Sequence, residues 1–261
     1  MTKSMQHTDA HELNPNRIRE HILRLCFASS EGHIASSMSI VDLLVSVYSV
    51  NRLKTKSDRF DNIILSKGHA VYALYGLMLE LGIYDSFFEN GVCQNGSLLI
   101  GHVPQIRELG LNIGTGSLGH GFPYAVGRAF SKADGSDRIH VIVGDGELNE
   151  GSIWETLNLL EKFPELPINL YIDDNRSSDR AIPLDAARRA LKCGYNAKMI
   201  NGHDIQDMKD QILNSYNSKG YKIYLCETIK GYPLKKMMGN PSWHHRVPNE
   251  TELNEFLREL K

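Results

Sequence analysis

Apolar residues along the chain follow two different spacings, and these spacings predict its strands and helices. Five short apolar runs, several of them rich in β-branched residues, suit buried strands over residues 63–65, 139–143, 168–172, 198–200 and 222–226. Segments with apolar residues three or four positions apart flank or separate these runs, as expected of helices. This alternation predicts an α/β fold, a doubly wound parallel sheet with helices on both faces.

Helical spacing predicts helices over residues 18–25, 40–47, 153–161, 186–191, 205–213 and 253–260. The first two precede the first strand, and the last closes the chain with its apolar residues on one face. The segment from Lys230 to Pro248 contains glycine and proline and few periodic apolar residues. It is therefore predicted to be a long loop, and long loops in compact domains often carry function.

The composition limits the kind of protein to expect. With 261 residues, 41% of them hydrophobic, the chain is long enough to bury one large core. We expect a flexible N-terminal extension over residues 1–15 and one domain over residues 16–261. The net charge of −2 comes without a basic tract or interleaved aromatic and basic residues, so nucleic acid is not an expected partner.

The cysteines and the apolar runs bear on the location of the protein. Four widely spaced cysteines form no C-x-x-C pair, so neither a zinc site nor a disulfide framework is predicted. Residues 1–16 are polar and lack the apolar stretch of a signal peptide. No run approaches the roughly 20 apolar residues that a membrane span needs. A cytoplasmic location without a membrane partner is expected.

Two acidic turns come directly after two of the predicted strands. Gly144-Asp145-Gly146-Glu147 follows one strand and Asp173-Asp174-Asn175 follows the next, so Asp145 and Asn175 lie 30 residues apart. Ligands bind in open α/β sheets outside the carboxyl ends of the strands. Carboxylate and amide oxygens suit Mg²⁺ or Ca²⁺, which often bridge to phosphates, and Gly146 allows backbone N–H groups to approach a diphosphate. Taken singly, each turn is also ordinary Asp, Asn and Gly turn chemistry.

A Gly-Asp-Gly turn followed after about 30 residues by Asn resembles the signature of thiamine-diphosphate enzymes, and specifically of the transketolase family. The resemblance implies that Asp145, Asn175 and the backbone carbonyl of Ser177 hold Mg²⁺ or Ca²⁺. That ion would hold the diphosphate of the cofactor, thiamine diphosphate. The remaining residues of the first turn would also bind the cofactor, and they are Gly144, Gly146 and Glu147.

Further segments match the same family in the expected order. They are Gly32-His33, Ser66-Lys67-Gly68-His69-Ala70, Gly101-His102, residues 114–121 and Trp243-His244-His245-Arg246-Val247-Pro248. By this resemblance His33, His102 and His244 surround substrate oxygens and are the catalytic candidates. His69 would lie near the diphosphate, and His244 would also contact the cofactor. Imidazoles can donate hydrogen bonds and move protons at pH 7, although a lone histidine is more often a surface or core residue.

The glycine-rich loop at residues 114–121 is similar to the family loop that lies along the cofactor. Gly116, Ser117 and Leu118 are its cofactor-binding candidates, with Gly116 and Leu118 assigned by resemblance to the aminopyrimidine. Four glycines in eight residues also suit a flexible loop without function. Glu150 is a further cofactor-binding candidate. It matches a family glutamate in a carboxylate network at the subunit interface, and it is equally a helix-start carboxylate favoured by the helix dipole.

The resemblance runs from about His33 to Asn254 and implies the thiamine-diphosphate-binding fold of the diphosphate-binding (PP) domain. It implies a transferase that moves a two-carbon ketol unit from a ketose donor to an aldose acceptor. The expected partner is a C-terminal transketolase subunit with the pyrimidine domain and its activating glutamate, in a heterotetramer of two subunits of each kind. The loop at residues 230–248 is expected to fold over the cofactor and bring His244 in.

Several positions depart from the family pattern. His245 stands where the family has glycine, His120 where it has glutamine and Ser117 where it has proline, and residues 176–180 replace an apolar pair followed by Asp-Gly. An altered sugar pocket predicts an unusual or specialised substrate. Two alternatives stay open. One is a subunit of another thiamine-diphosphate enzyme, deoxyxylulose-phosphate-synthase-like or 2-oxoacid decarboxylating, and the other is a non-catalytic scaffold subunit.

Overall fold

The computed structural model describes residues 12–82, 85–132 and 137–261. The strands in these ranges are β1 (Ile63–Leu65), β2 (Ile139–Gly144), β3 (Ile168–Asp174), β4 (Lys198–Asn201) and β5 (Lys222–Glu227). The helices are α1 (Pro15–Ser29), α2 (Ile34–Ser39), α3 (Val41–Thr55), α4 (Val71–Leu81), α5 (Gly121–Phe130), α6 (Gly151–Lys162), α7 (Asp185–Gly194), α8 (Ile205–Tyr216) and α9 (Glu250–Glu259). Each predicted strand is confirmed within a few residues.

The strands form one parallel sheet in the order β1-β2-β3-β5-β4. Gly144 pairs with Asp173, and Asp174 pairs with Glu227, so β2, β3 and β5 end side by side. Parallel strands deliver the residues that follow them to the same edge. The doubly wound sheet predicted from the apolar spacing is confirmed.

Two apolar clusters cover the two faces of the sheet. Along β2 and β3, Ile142 and Tyr171 belong to one cluster, whereas Val141, Val143 and Leu170 belong to the other. Successive side chains of a strand point to opposite faces, and crossover helices bury both faces of a parallel sheet. The strands are therefore apolar almost throughout, and the polar residues needed for chemistry lie at their ends.

Local signals set several helix boundaries. The Asn14 side chain accepts a hydrogen bond of 2.9 Å from the backbone N–H of Asn16, with Pro15 in the first turn of α1. Asn249 and Glu252 form a reciprocal capping box at the start of α9, with hydrogen bonds of 2.9 and 3.0 Å. These caps satisfy backbone N–H groups that have no partner inside the helix.

The structure has helices that the apolar spacing does not predict. The helix predicted over residues 40–47 corresponds to α3. The short helix α2, which was not predicted, precedes it, and Ile40 separates the two. Helix α4 is buried on nearly every side, so it lacks the polar face that makes a helix visible in a sequence. Helix α5 begins at Gly121, inside what the sequence predicts as a glycine-rich loop.

The segment between β5 and α9 is mostly turns, with a short 3₁₀ helix at Pro241–Trp243. The predicted N-terminal extension over residues 1–15 lies largely outside the described residues, and it stays a prediction. Within the described parts of the chain, no helix combines the length and the apolar character that crossing a membrane requires.

Candidate active site

A cavity of about 310 Å³ opens at the carboxyl ends of β1, β2 and β3. The predicted site residues that line it are His33, His69, His102, Gly116, Leu118, Gly144, Asp145, Gly146, Glu147, Asn175, Ser177 and His244. A larger groove of about 670 Å³ lies between α3 and α8, but none of the described residues that line it is a histidine. The cavity at the strand ends therefore combines the candidate metal ligands, histidines and glycine-rich loop.

A buried ion pair lies at the base of this cavity. Lys67 after β1 and Asp173 at the end of β3 are 2% and 0% exposed and contact each other directly. Asp173 also accepts hydrogen bonds from Ser39 Oγ at 3.1 Å, from Asn175 Nδ2 at 2.7 Å and from the Thr228 hydroxyl. A buried ion pair needs such additional bonds because desolvation is costly. Since a carboxylate only accepts, the Asn175 amide nitrogen faces Asp173 and its oxygen faces away.

Asp145 is the second acidic group of the site. Its Oδ1 accepts a hydrogen bond of 2.8 Å from the backbone N–H of Gly146, and its Oδ2 accepts one of 3.0 Å from that of Ser178. Burial raises the pKa of Asp145, the bond from Ser178 opposes that rise, and the charge of Asp173 adds to it. Asp145 forms no salt bridge with any residue that the structure describes.

The side-chain oxygens of Asp145 and Asn175 therefore suit a hard divalent cation. The Asp145 carboxylate is buried without a cationic partner in the described ranges, and its oxygens keep lone pairs beyond those used by Gly146 and Ser178. Asn175 Oδ1 accepts one hydrogen bond of 3.0 Å, from the backbone N–H of Ser177, and both residues line the cavity.

The glycine-rich loop approaches the cavity closely because it lacks side chains. Gly116 has φ of +154°, and a Cβ there would lie 3.0 Å from Cδ2 of His102. Gly119 has φ of +77°, and a Cβ there would lie 2.7 Å from Cβ of Glu150. Both positions need glycine for conformation and for space. The loop therefore leaves open backbone where a side chain would displace a histidine of the site.

Glu147 connects this loop to the carboxyl ends of β1 and β2 through hydrogen bonds. Its carboxylate accepts hydrogen bonds from Ser66 Oγ at 2.5 Å, from the backbone N–H of Gly119 at 2.9 Å and from that of Gly144 at 2.8 Å. Burial raises the pKa of Glu147, and these three bonds act against that rise. The structure thus shows Glu147 lining the cavity while its oxygens hold three loops together.

The histidines form a cluster around His33. The ring centroids of His245, His69, His244 and His102 lie 4.6, 5.1, 5.4 and 6.4 Å from that of His33. Burial, and next the neighbouring His245, lowers the pKa of His33 to about 4. Burial, and next Lys67, lowers the pKa of His69 to about 2. Both imidazoles are therefore neutral at pH 7, each with one N–H donor and one acceptor nitrogen.

Lys230 lines the cavity and is not among the residues predicted from the sequence. Its ammonium lies 2.7 Å from Ser177 Oγ and 2.6 Å from His244 Nδ1. Because an ammonium only donates, Nδ1 of His244 accepts and its N–H is on Nε2. Burial, and next Lys67, lowers the pKa of Lys230 to about 8. Its position three residues after β5 is the signal that could have found it, because other strand ends supply the site.

The remaining cavity residues absent from the predicted site are Ser36, Lys67 and Ser178. Conversely, Ser117 and Glu150 do not line the cavity. Ser117 is exposed, and Glu150 is half-buried at the start of α6, against Gly119. Their assignment to the cofactor stays a prediction.

Arg188 on α7 holds the segment that departs from the family pattern. Its guanidinium lies 2.7 Å from Asp174 Oδ1 and 3.0 Å from Asp179 Oδ1. Asp179 Oδ1 also accepts a hydrogen bond of 3.2 Å from the backbone N–H of Leu184. The loop that contains Ser177 is thus anchored at both ends by one buried arginine.

Comparison with known proteins identifies the family of this chain. A family model described as transketolase, thiamine diphosphate binding domain, matches residues 16–260. The chain belongs to the transketolase family. The match covers nearly the whole chain, so the family resemblance of the separate segments is confirmed.

Two relatives within the transketolase family have a similar length to this chain. An apulose-4-phosphate transketolase subunit from Phocaeicola vulgatus is 30% identical over 262 residues, which cover 95% of this chain and 93% of that protein. The 6-deoxy-6-sulfo-D-fructose transketolase subunit SqwG from a Clostridium species is 28% identical, with 94% of each chain covered.

Transketolases of known structure share the fold. Transketolase from Leishmania mexicana superposes with a TM-score of 0.82 at 22% identity, covering 94% of this chain and 40% of that one. The transketolase fold, with its parallel sheet, is therefore the fold of this chain. The chain spans less than half of the longer transketolase.

Proposed function

We propose that this chain is the N-terminal, diphosphate-binding subunit of a split transketolase. In this proposal it transfers a two-carbon ketol unit from a ketose donor to an aldose acceptor. The observation that carries the proposal is the cavity in which Asp145, Asn175 and Ser177 lie beside Gly116 and the cluster around His33. The family match over residues 16–260 supports it.

The residues present fit a divalent cation and thiamine diphosphate. The buried Asp145 carboxylate, Asn175 Oδ1 and the Ser177 carbonyl would hold Mg²⁺ or Ca²⁺, because hard cations take oxygen ligands. Open backbone at Gly116, where a Cβ would lie 3.0 Å from His102, would accept the flat rings of the cofactor. When bound, thiamine diphosphate supplies stabilisation of negative charge at the former carbonyl carbon of the donor.

The chain's own groups would bind and orient substrate and cofactor. The ammonium of Lys230 lines the cavity and would neutralise diphosphate charge together with the cation. Neutral His33 and His69 can each donate one hydrogen bond to a hydroxyl or diphosphate oxygen and accept another. His244 presents its Nε2–H, because its Nδ1 accepts from Lys230. These imidazoles, with His102, would hold sugar hydroxyls and move their protons.

We propose that a second chain completes the enzyme. The relative from Phocaeicola vulgatus is named as one subunit of a transketolase, and this chain covers 93% of its length. The partner would be a C-terminal transketolase subunit with the pyrimidine domain and its activating glutamate. The proposed assembly is a heterotetramer of two subunits of each kind. The predicted cytoplasmic location stays a prediction.

The substrate is proposed to be an unusual ketose. Two relatives that match nearly the full length of this chain are named for apulose-4-phosphate and 6-deoxy-6-sulfo-D-fructose. In this chain His245 packs against His33 with a ring separation of 4.6 Å, at a position where glycine is expected from the family pattern. An additional imidazole beside His33 would change the surroundings of a histidine that lines the cavity.

Calorimetry on the full chain, alone and with the partner chain, tests the proposal. Thiamine diphosphate is titrated with Mg²⁺ present and then with the metal removed by chelation. We expect binding that requires the metal, and ketol transfer from a panel of ketoses only when both chains are present. Absence of metal-dependent binding by the two chains together would instead favour a scaffold subunit. Decarboxylation of a 2-oxoacid without ketol transfer would favour the other enzyme class.

A further inference from the structure

His203 forms a buried connection that ends next to Lys230. It lies in the turn between β4 and α8, and its side chain is 10% exposed. Its Nδ1 lies 2.8 Å from Asp42 Oδ2, and its Nε2 accepts a hydrogen bond of 2.9 Å from the backbone N–H of Ile229. Because Nε2 accepts a hydrogen bond, the ring carries its proton on Nδ1, and this N–H donates a hydrogen bond to Asp42.

Neighbouring groups hold this pair in place on both sides. Asp42 on α3 also contacts Arg19 on α1, with 2.6 Å between Oδ2 and Nη2. The rings of His203 and Tyr232 stack with centroids 3.9 Å apart, and the Arg19 guanidinium lies 5.3 Å from the centre of the Tyr232 ring. His203 is therefore anchored on Asp42 of α3, which is itself paired with Arg19 of α1, and it contacts the chain on either side of Lys230.

The position of the Lys230 ammonium depends on this stretch of backbone. A lysine side chain has a flexible stem of four carbons. The position of its ammonium is therefore well defined only if the position of its backbone is well defined. Ile229 is held by His203, and the backbone N–H of Gly231 donates to the carbonyl of Ala35 at 3.0 Å. Lys230 between them reaches Ser177 Oγ at 2.7 Å and His244 Nδ1 at 2.6 Å.

We propose that the Asp42–His203 pair positions residues 229–232, and through them the Lys230 ammonium, for the diphosphate of the cofactor. His203 is thus a positioning residue that acts at a distance from the cavity. This inference rests on the proposed binding of thiamine diphosphate.

The test compares His203→Phe, which keeps a ring on Tyr232 but removes both hydrogen bonds, with His203→Gln, which can accept and donate. Thiamine diphosphate with Mg²⁺ is titrated calorimetrically into the full chain with its partner chain present. We expect about tenfold weaker binding for His203→Phe and less than about threefold for His203→Gln. In a Lys230→Met background, His203→Phe should change the affinity by less than about twofold, since the two residues act as one unit.

His140→Phe is the matched control for a purely structural effect. His140 is a buried histidine whose two ring nitrogens each lie 3.0 Å from a tyrosine hydroxyl. We expect its loss to lower stability while the affinity stays within about twofold of the wild type. Hydrogen exchange of residues 229–232 in the cofactor-free protein should accelerate in His203→Phe and stay unchanged in His140→Phe.

Three results would overturn the inference. Wild-type affinity in His203→Phe would overturn it and leave the proposed function standing. An equal loss of affinity from His203→Phe in the wild-type and Lys230→Met backgrounds would also overturn the inference and leave the proposed function standing. It would show that His203 acts independently of the Lys230 ammonium. Absence of metal-dependent binding in the wild type would overturn the proposed function and the inference together.

Discussion

The two ends of β2 and β3 carry polar clusters of opposite character. At the amino ends, Arg138 Nε donates to Asn169 Oδ1 at 3.1 Å, and the ring nitrogens of His140 lie 3.0 Å from the hydroxyls of Tyr171 and Tyr216. Burial lowers the pKa of His140 to about 3. Both ring nitrogens of His140 have a partner, and the side chains of His140 and Arg138 are buried.

At the carboxyl ends, the polar groups face a cavity. Asp145 is buried without a salt-bridge partner in the described ranges, and His33 contacts other imidazoles rather than an acid. The Lys67 ammonium and the Asp173 carboxylate beneath them are paired. Burial and shifted pKa values therefore occur at both ends, whereas free hydrogen-bonding capacity that faces a cavity distinguishes the candidate active site.

The largest effect is expected from Asp145→Ala, which removes the carboxylate that faces the cavity. Affinity for thiamine diphosphate with Mg²⁺ should fall on the order of a thousandfold, as when one member of a buried charge pair is lost. The free energy of unfolding should change by less than about 1 kcal/mol, because the lost hydrogen bonds offset the relief from desolvation. Calorimetry and urea denaturation measure the two quantities.

Asp207→Ala on α8 is the control for Asp145→Ala, and it should keep wild-type affinity. Retention of metal-dependent binding by Asp145→Ala would contradict the assignment of this carboxylate to the cation.

At the amino ends of β2 and β3, a substitution is expected to lower stability and to leave cofactor affinity nearly unchanged. Arg138→Met leaves Asn169 Oδ1 and several backbone carbonyls without their buried donor, including those of Ser215 and Gly220. The free energy of unfolding should fall by about 3 kcal/mol. Cofactor affinity, measured by calorimetry below the unfolding temperature, should stay within about twofold. If Arg138→Met lowered cofactor affinity and left stability unchanged, the proposed contrast between a structural cluster at the amino ends and a binding site at the carboxyl ends would be wrong.

A smaller effect is expected from pH. Because the pKa of His140 falls from 6.5 to about 3 on folding, the unfolded chain binds a proton first as the pH drops. The stability that neutral His140 contributes is complete above pH 6.5 and is lost progressively as pH falls towards 3. Between pH 6.5 and 4.5 this loss amounts to about 2 kcal/mol.

His140→Gln removes this titration and should flatten the dependence of unfolding free energy on pH by that amount. A residual slope is expected because burial also lowers the pKa values of His33 and His69. Identical slopes in the wild type and the variant would show that His140 does not titrate on unfolding in this range.

The smallest effect is expected at Gly116. Alanine there must adopt φ of +154° and brings its Cβ within 3.0 Å of His102. Cofactor affinity should fall by about 1 kcal/mol, or roughly fivefold, as the ring is displaced. Gly127→Ala in α5, where a Cβ meets nothing within 4 Å, is the control and should stabilise the chain slightly. Calorimetry on both variants makes the comparison, and equal affinities would contradict a close approach at Gly116.

Local patterns were sufficient for much of the fold and for the ends of β2 and β3. Short apolar runs predicted the strands, because a parallel sheet buries both faces of each strand. The same runs placed Asp145 and Asn175 at strand ends, and the structure lines one cavity with both. Helix α4 escaped prediction because it is apolar on nearly every side and so has no amphipathic period.

Only the tertiary structure decided which strand lies beside which. The chain order does not reveal that β5 inserts between β3 and β4, yet this places Thr228 on Asp173 and Lys230 beside Ser177. The contact of His203 with Asp42 spans 161 positions and leaves no periodic trace. Apolar spacing records which face of an element is buried, whereas the pairing of polar groups between distant segments depends on how the elements are arranged in space.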